Sequence, residues 1–323
     1  MEFQVLINNL TNPTLLFFLL GVIAVSVKSD LEIPRSSSKF ISLYLLFAIG
    51  FKGGQELSHS GFNNEILISL LFGLGIASII PFYSFFILKK KLSVSDSAAV
   101  AASYGSVSAV TFVAAISFLE VQRLQSGGHM VAVMALMEAP AIIIGVILLM
   151  KYDKERDTNE QVSFRSIIQH SFTNGSVLLI IGSLIIGFIA DTKQAEGIKP
   201  FTTDIFKGFL AIFLLEMGMV TAKRFTAFKK YGGFVTLFAI IIPAINGCAV
   251  AFLSQFVTHD VGNRFIFAIL AASASYIAVP AAMRLAAPKA DPGLYLPMAL
   301  GVPFPFNITV GMPIYYLVIT SGF

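Results

Sequence analysis

The chain contains no tryptophan and a single cysteine, Cys248. One cysteine excludes an intrachain disulfide, and without tryptophan any aromatic belt at a membrane surface falls to tyrosine. Charge is scarce as well. Asp, Glu, Lys and Arg together make up 12% of the residues, about half their share in soluble domains, which excludes an ordinary solvated globular domain. The four histidines show no metal-ligand spacing. No Walker A, HExxH or GxSxG string occurs, and no pair of intramembrane aspartates. The sequence therefore offers no nucleotide motor, no enzyme centre and no organic-cofactor motif, and no nucleic-acid partner is expected.

What fills the space is apolar. Hydrophobic residues make up 56% of the chain and mean hydropathy is +0.82. A helix needs about 20 apolar residues to span a bilayer, and runs of that kind recur. Ten spans are read at 10–27, 36–51, 66–88, 96–118, 129–151, 174–191, 205–222, 233–256, 263–284 and 293–320. The opening "MEFQVLINNLTNPTLLFFLLGVIAVSVKSD" has no basic n-region or cleavage site and reads as the first span, not as a signal peptide. The expected fold class is an all-α polytopic membrane protein of ten transmembrane helices.

Lys and Arg divide unequally between the two sides. The odd-numbered connections carry 16 and the other side 6. The positive-inside rule makes the odd side cytoplasmic and both termini extracytoplasmic, with an inner (plasma) membrane as the expected location.

The halves of the chain resemble each other. "AASYGSVSAV" (101–110) matches "AASASYIAVP" (271–280), "LLFAIGFKGG" (45–54) matches "FLLEMGMVTA" (213–222) with Gly50 on Gly218, and "NPTLLFFLLG" (12–21) matches "NGSVLLIIGS" (174–183). The three pairs fall in the same order. Five spans per half is an odd number, so the second half enters from the opposite side. The expected organisation is 1–152 as a first five-helix repeat, 153–172 as a cytoplasmic linker and 173–323 as an inverted second repeat, an arrangement typical of secondary transporters.

Spans four and nine are unlike lipid-facing helices. Span four holds Ser103, Tyr104, Gly105, Ser106, Ser108 and Thr111, and span nine holds Ser273, Ser275, Tyr276 and Pro280. Glycine weakens a helix interior by about 1 kcal/mol and proline by about 3. A break is expected at Gly105–Ala109, with Ser106 or Ser108 as N-cap. A matching break is expected at Ser275–Val279, with a half-helix starting near Pro280. Two such breaks crossing at mid-membrane would point half-helix N-termini, each with a partial positive charge, at one place. That is an anion site without arginine, and freed carbonyls beside it suit a small cation. For any single Ser or Ala, close helix packing is the better explanation, and it is the symmetric pair of polar breaks that favours a site.

Glu138 lies mid-span just before Pro140, which frees a carbonyl nearby, so carboxylate and carbonyl oxygens suit a hard cation such as sodium. A hydrogen-bonded Glu joining two helices is the plainer alternative. In "GVPFPFNITVGMP", Asn307 and Thr309 sit at the matching depth of span ten. Glu216 aligns with Ala48 and reads as a structural partner, Arg284 as a snorkelling anchor, and Asn246 as packing.

These residues carry a resemblance. "GGHMVAVMALMEAPAIIIG", "LLFAIGFKGGQEL", the Ser/Gly/Ala core of span four and "LGVPFPFNITVGMPIYY" look like the sodium-dependent bicarbonate transporters of cyanobacteria, over nearly the whole chain. The resemblance implies a core domain of helices 3–5 and 8–10 moving against a scaffold of helices 1, 2, 6 and 7. It implies bicarbonate held mainly by backbone amides, which falls here on Gly105, Ser106, Val107, Ser275, Tyr276, Ile277 and Ala278. Sodium, the co-transported ion, would be held by Ser103, Ser108, Glu138, Ser273, Asn307 and Thr309. It further implies a homotrimer and inhibition by a cytoplasmic PII-like protein. Glu138 stands where that family commonly has Asp, which changes the reach to sodium, and the loop between the halves is short. The expected function is sodium-coupled bicarbonate (or small-anion) symport by elevator-type alternating access. A sodium/proton antiporter or a sodium-coupled organic-anion symporter of similar topology is the alternative. An ion channel is less compatible with the inverted repeat.

Overall fold

A computed structural model describes residues 13–60, 63–153, 175–228 and 232–321, with the isolated positions 169 and 173. Most of the linker expected at 153–172 and the first residues of span one lie outside the described residues. Those described form helices and no β-strand. In order they are α1 Pro13–Ser26, α2 Arg35–Ser60, α3 Asn64–Leu88, α4 Val94–Gly105, α5 Ala109–Val121, α6 His129–Tyr152, α7 Gly175–Ile189, α8 Thr192–Glu196, α9 Phe206–Phe228, α10 Gly233–Leu253, α11 Val261–Ala272, α12 Ala278–Ala286 and the interrupted α13 Pro292–Thr320.

Six segments among the described residues are long and apolar enough to cross a membrane: Asn64–Leu88, Val94–Val121, His129–Tyr152, Pro200–Lys223, Gly233–Phe256 and Pro292–Thr320. Leu15–Ser26, Gly175–Ile189 and Val261–Ala272 are shorter apolar helices. Large aliphatic side chains are exposed on the outside of the bundle, among them Ile23, Ile79, Ile186, Ile189 and Leu237. Water would penalise such a surface and hydrocarbon would not. The chain is a multi-pass membrane protein.

Local chemistry sets the ends of the helices. Asn63 Oδ1 accepts from Ile66 N–H at 2.9 Å and starts α3, Ser93 Oγ accepts from Asp96 N–H at 3.0 Å and starts α4, and Asp260 Oδ1 accepts from Asn263 N–H at 2.7 Å and starts α11. Five prolines, Pro292, Pro297, Pro303, Pro305 and Pro313, shape α13. Two π-turns, Pro297–Gly301 and Asn307–Gly311, interrupt it, so span ten is not the uniform helix its hydropathy suggests. Span two, read as 36–51, continues as helix to Ser60, because hydropathy ends at the first charges whereas backbone hydrogen bonding does not.

Helix pairing is specific. α1 packs along α9, and α2 along α7. In a second group, α3 packs on α4 and α6, α10 on α11 and the end of α13, α5 on α11, and α4 and α6 on α12. The α1–α9 and α2–α7 contacts run through glycines. A Cβ on Gly218 would stand 2.0 Å from the Phe18 carbonyl oxygen, and one on Gly187 would stand 2.1 Å from that of Phe51. Only a hydrogen at those positions lets the backbones approach so closely.

Candidate functional site

Span four is divided as expected. α4 ends at Gly105, and Ser106 and Ser108 are extended. α5 starts at Ala109, with Ser108 Oγ accepting from Thr111 N–H at 3.2 Å as its N-cap. Span nine is divided too, a little earlier than expected. α11 ends at Ala272, residues 273–277 are non-helical, and α12 begins at Ala278. The physical reason is that proline fits anywhere in a first turn, whose N–H groups lack intrahelical partners. Pro280 therefore sits in the first turn of α12 without being its first residue, and Ala278 opens the half-helix.

The two breaks touch. Ser275 N–H donates to the Ser103 carbonyl at 2.8 Å, and Ser108 N–H donates to Ser273 Oγ at 3.0 Å. Ser273 Oγ–H donates in turn to the Leu270 carbonyl at 2.9 Å, and Ser103 Oγ–H to the Ala99 carbonyl at 3.0 Å. Freed carbonyls at the end of α11 are capped by two amides: Asn246 donates to Ala271 at 3.3 Å and Asn307 to Ala272 at 2.8 Å. Asn307 Oδ1 lies 3.0 Å from the Tyr315 hydroxyl. Gly105 packs so tightly on α3 that a Cβ would stand 2.3 Å from the Pro81 ring.

These bonds leave donors over. Among the described residues, the backbone N–H groups of Val107, Ala109, Tyr276, Ile277 and Ala278 make no hydrogen bond within the protein, and the buried Ser106 hydroxyl has no partner. The first N–H groups of a helix lack intrahelical partners, so the starts of α5 and α12, with the buried and unpartnered Ser106 hydroxyl beside them, leave the crossing rich in unspent donors, and the partial positive ends of those helices make it a setting that would favour an anion.

The expected cation ligands do not all gather. Ser103, Ser108 and Ser273 lie in the crossing, joined by the bonds above, and Asn307 reaches it through Ala272. Thr309 Oγ–H donates to the Pro305 carbonyl of its own helix at 2.7 Å. Glu138 makes no hydrogen bond to any of them, and its buried Oε2 has no partner. Gly145, two turns further along the same face of α6, packs on Ala98 and Ala102 of α4 and on Met283 of α12. Glu138 therefore lies on the side of α6 that faces the divided helices.

Three residues near the crossing were not legible as part of it. Asn246 read as packing, yet it holds Ala271 and accepts from the Tyr83 hydroxyl. Glu216 read as a structural partner, and it lies within electrostatic reach of Tyr276. Tyr83 carried no sequence signal at all. A cavity of about 210 Å³ adjoins the crossing, lined by Ser38, Ser42, Phe213, Met217, Tyr276, Ile277, Leu296 and Leu300. A wider vestibule of about 710 Å³ opens towards the other end of the helices. It is lined by Lys52, Arg123 and Thr202, among others, and crossed by the 2.9 Å ion pair of Lys207 with Glu120.

Comparison with curated proteins returns no significant match. A model of the Na+-dependent bicarbonate transporter superfamily matches residues 13–320, a match that takes in both breaks, every helix described and all of the candidate site, and the chain belongs to that superfamily.

Proposed function

We propose that the protein is a sodium-coupled symporter that takes up bicarbonate, or an anion of similar size and charge, by elevator-type alternating access. The observation that carries this reading is the crossing itself. Two half-helix N-termini and a set of unspent N–H groups converge in a chain of the bicarbonate transporter superfamily. Backbone amides read negative charge and size, which suits a planar monoanion.

An inverted repeat is supported by the pairing of the helices. Exchanging the halves turns the α1–α9 contact into the α7–α2 contact, the α3–α4 contact into α10–α11, and α5–α11 into α12–α4, and all of these are made. At residue level Gly21 packs on Gly218, and Ser183 packs on Gly50. The sequence alignment pairs Gly21 with Ser183 and Gly218 with Gly50, so each contact is the image of the other. In this reading α1, α2, α7 and α9 form a scaffold, the remaining long helices form the moving core, and the termini are extracytoplasmic. Both vestibule and smaller cavity lie between the two groups of helices, as a core sliding against a scaffold requires.

Sodium is the co-substrate. Ser103, Ser108, Ser273, Asn307 and Thr309 supply neutral oxygens, and Glu138 supplies the charge. Sodium would neutralise Glu138 and order the breaks, after which the anion binds and the loaded core moves. A homotrimer and a PII-like regulator belong to this reading only through the resemblance to the cyanobacterial transporters.

Uptake of labelled bicarbonate into proteoliposomes, with and without an imposed sodium gradient, tests the coupling. Uptake should rise with the inward sodium gradient, and rates indifferent to sodium would refute it. Glu138→Gln should weaken the sodium dependence, and unchanged coupling would remove that residue from the site. Proton efflux coupled to sodium, with no bicarbonate movement, would favour an antiporter instead.

A further inference from the structure

Lysines gather where α3 and α6 end side by side. Lys89, Lys90 and Lys91 follow the last turn of α3, and Lys151 lies in the last turn of α6, which packs along α3. Lys89 Nζ lies 3.8 Å from the centroid of the Tyr152 ring, and Lys151 Nζ lies 5.7 Å from the same centroid. Two ammonium groups from different helices thus share one ring. Lys90, Lys91 and Lys151 are exposed, and none of the four lysines forms a salt bridge among the described residues. Residues 89–96 and 151–153 hold four lysines against two acids, Asp96 and Asp153. Asp96 already accepts from the Ser93 hydroxyl at 2.7 Å and from Asp291 N–H at 2.7 Å.

The shared ring continues into the lipid-facing surface. Phe86 meets Tyr152 edge-on at 5.6 Å, and Phe82 meets Phe86 edge-on at 5.1 Å. Phe82 is 54% exposed, and Ile79, a turn earlier, is 64% exposed. Ile79, Phe82, Phe86 and Lys89 recur at spacings of three and four residues, which is one face of a helix. That face is apolar at membrane depth and cationic at its end. Snorkelling accounts for a lone lysine at a helix end, but it carries like charges apart into water and does not draw two of them onto one ring.

We infer that this face binds one anionic glycerophospholipid, with its phosphate between Lys89, Lys90 and Lys151 and an acyl chain along Phe86, Phe82 and Ile79. An anion between the ammonium groups offsets their mutual repulsion, and anionic headgroups attract lysines at a bilayer surface. A soluble phosphate would meet the same lysines but bury none of the apolar strip, so the occupant is a lipid. The inference needs only the membrane setting. The proposed orientation would add that the site lies in the cytoplasmic leaflet.

The absence of tryptophan makes the test direct. Phe82→Trp places a single indole on the strip, where phospholipids brominated in their acyl chains quench its fluorescence on contact. The full-length protein is reconstituted in vesicles of phosphatidylcholine with rising fractions of either brominated phosphatidylglycerol or brominated phosphatidylcholine. Phosphatidylglycerol should reach half-maximal quenching at a mole fraction at least about tenfold lower. Lys89→Gln and Lys151→Gln should each reduce that preference about fivefold, whereas Lys89→Arg should keep it. Lys223→Gln, which removes an exposed lysine of α9, should leave it unchanged. Equal quenching by the two lipids would show a merely solvated face and overturn the site. An equal loss of preference in Lys223→Gln would show general surface attraction and overturn it too. So would release of phosphatidylglycerol by excess inorganic phosphate, since the ligand would then be a soluble anion. Should Phe82→Trp disturb the fold, Ile79→Trp reports on the same strip from a lipid-facing position. A protein that moves no bicarbonate would sink the transport reading and leave the lipid result standing.

Discussion

Gly218 lies so close to the backbone of α1 that any side chain must push the helices apart. Its Cβ would sit 2.0 Å from the Phe18 carbonyl oxygen and 3.1 Å from Gly21 Cα, and backbone cannot rotate out of the way as a side chain can. Overpacking of this kind costs about 1–3 kcal/mol. Gly218→Val should therefore lower the thermal midpoint of the purified protein by several degrees. Gly75→Ala is the control, because a Cβ there meets nothing within 4 Å, and its midpoint should hold or rise. Gly50 and Gly218 could be aligned from the sequence, but the alignment did not say what they touch. Twenty-five glycines are spread through the chain, and only the fold separates those at a helix contact from those facing open space. The same limit applied to Glu216. Pattern placed it in a span, whereas its relation to Tyr276 depends on two elements far apart in sequence.

At the scale of the elements, the breaks in spans four and nine are where sequence reasoning reached furthest. Gly105, Ser106 and Ser108 lie inside an apolar run, and their small, hydroxyl-rich chemistry weakens a helix there whatever surrounds it. The same chemistry offered Ser106 or Ser108 as the N-cap, and the structure selects Ser108. The exact start of α12 was not legible, because Pro280 is compatible with any position in the first turn. The two serines of the first break now make opposite predictions. Ser108→Ala removes a cap that is made and should cost about 1 kcal/mol of stability, read as a lower melting midpoint. Ser106→Ala removes a buried hydroxyl with no partner and should leave the midpoint unchanged or higher. If that hydroxyl is a ligand to the anion, Ser106→Ala should also raise the half-saturating bicarbonate concentration about tenfold or more, since hydrogen bonds to charged groups are worth about 1.5–3 kcal/mol. A melting loss in Ser106→Ala with unchanged half-saturation would make it a packing residue instead.

For the whole molecule, hydropathy set out the rhythm of the spans, and internal matches are what suggest two halves. Which helices pair across the halves was not legible, since every apolar helix face satisfies hydrocarbon equally well and small-residue contacts decide the partner. Nor was the ion pair between Glu120, near the end of α5, and Lys207, near the start of α9. It is exposed, so its contribution to stability is small, and its value lies in its position. It ties a helix assigned to the moving core to one assigned to the scaffold, across the wide vestibule. An elevator requires those two helices to slide past each other, whereas a carrier with a fixed vestibule does not. The chain's single cysteine makes the test clean. In a Cys248→Ser background, cysteines at positions 120 and 207 joined by a short, reducible bifunctional thiol reagent should stop sodium-driven bicarbonate uptake in proportion to the fraction cross-linked. Reduction should restore it, and either cysteine alone should transport normally. The ion pair itself is not required for the motion, so Lys207→Gln should still take up bicarbonate. Full uptake by the cross-linked protein would mean that α5 and α9 stay together throughout the cycle, and the elevator would have to be given up even if sodium coupling stands.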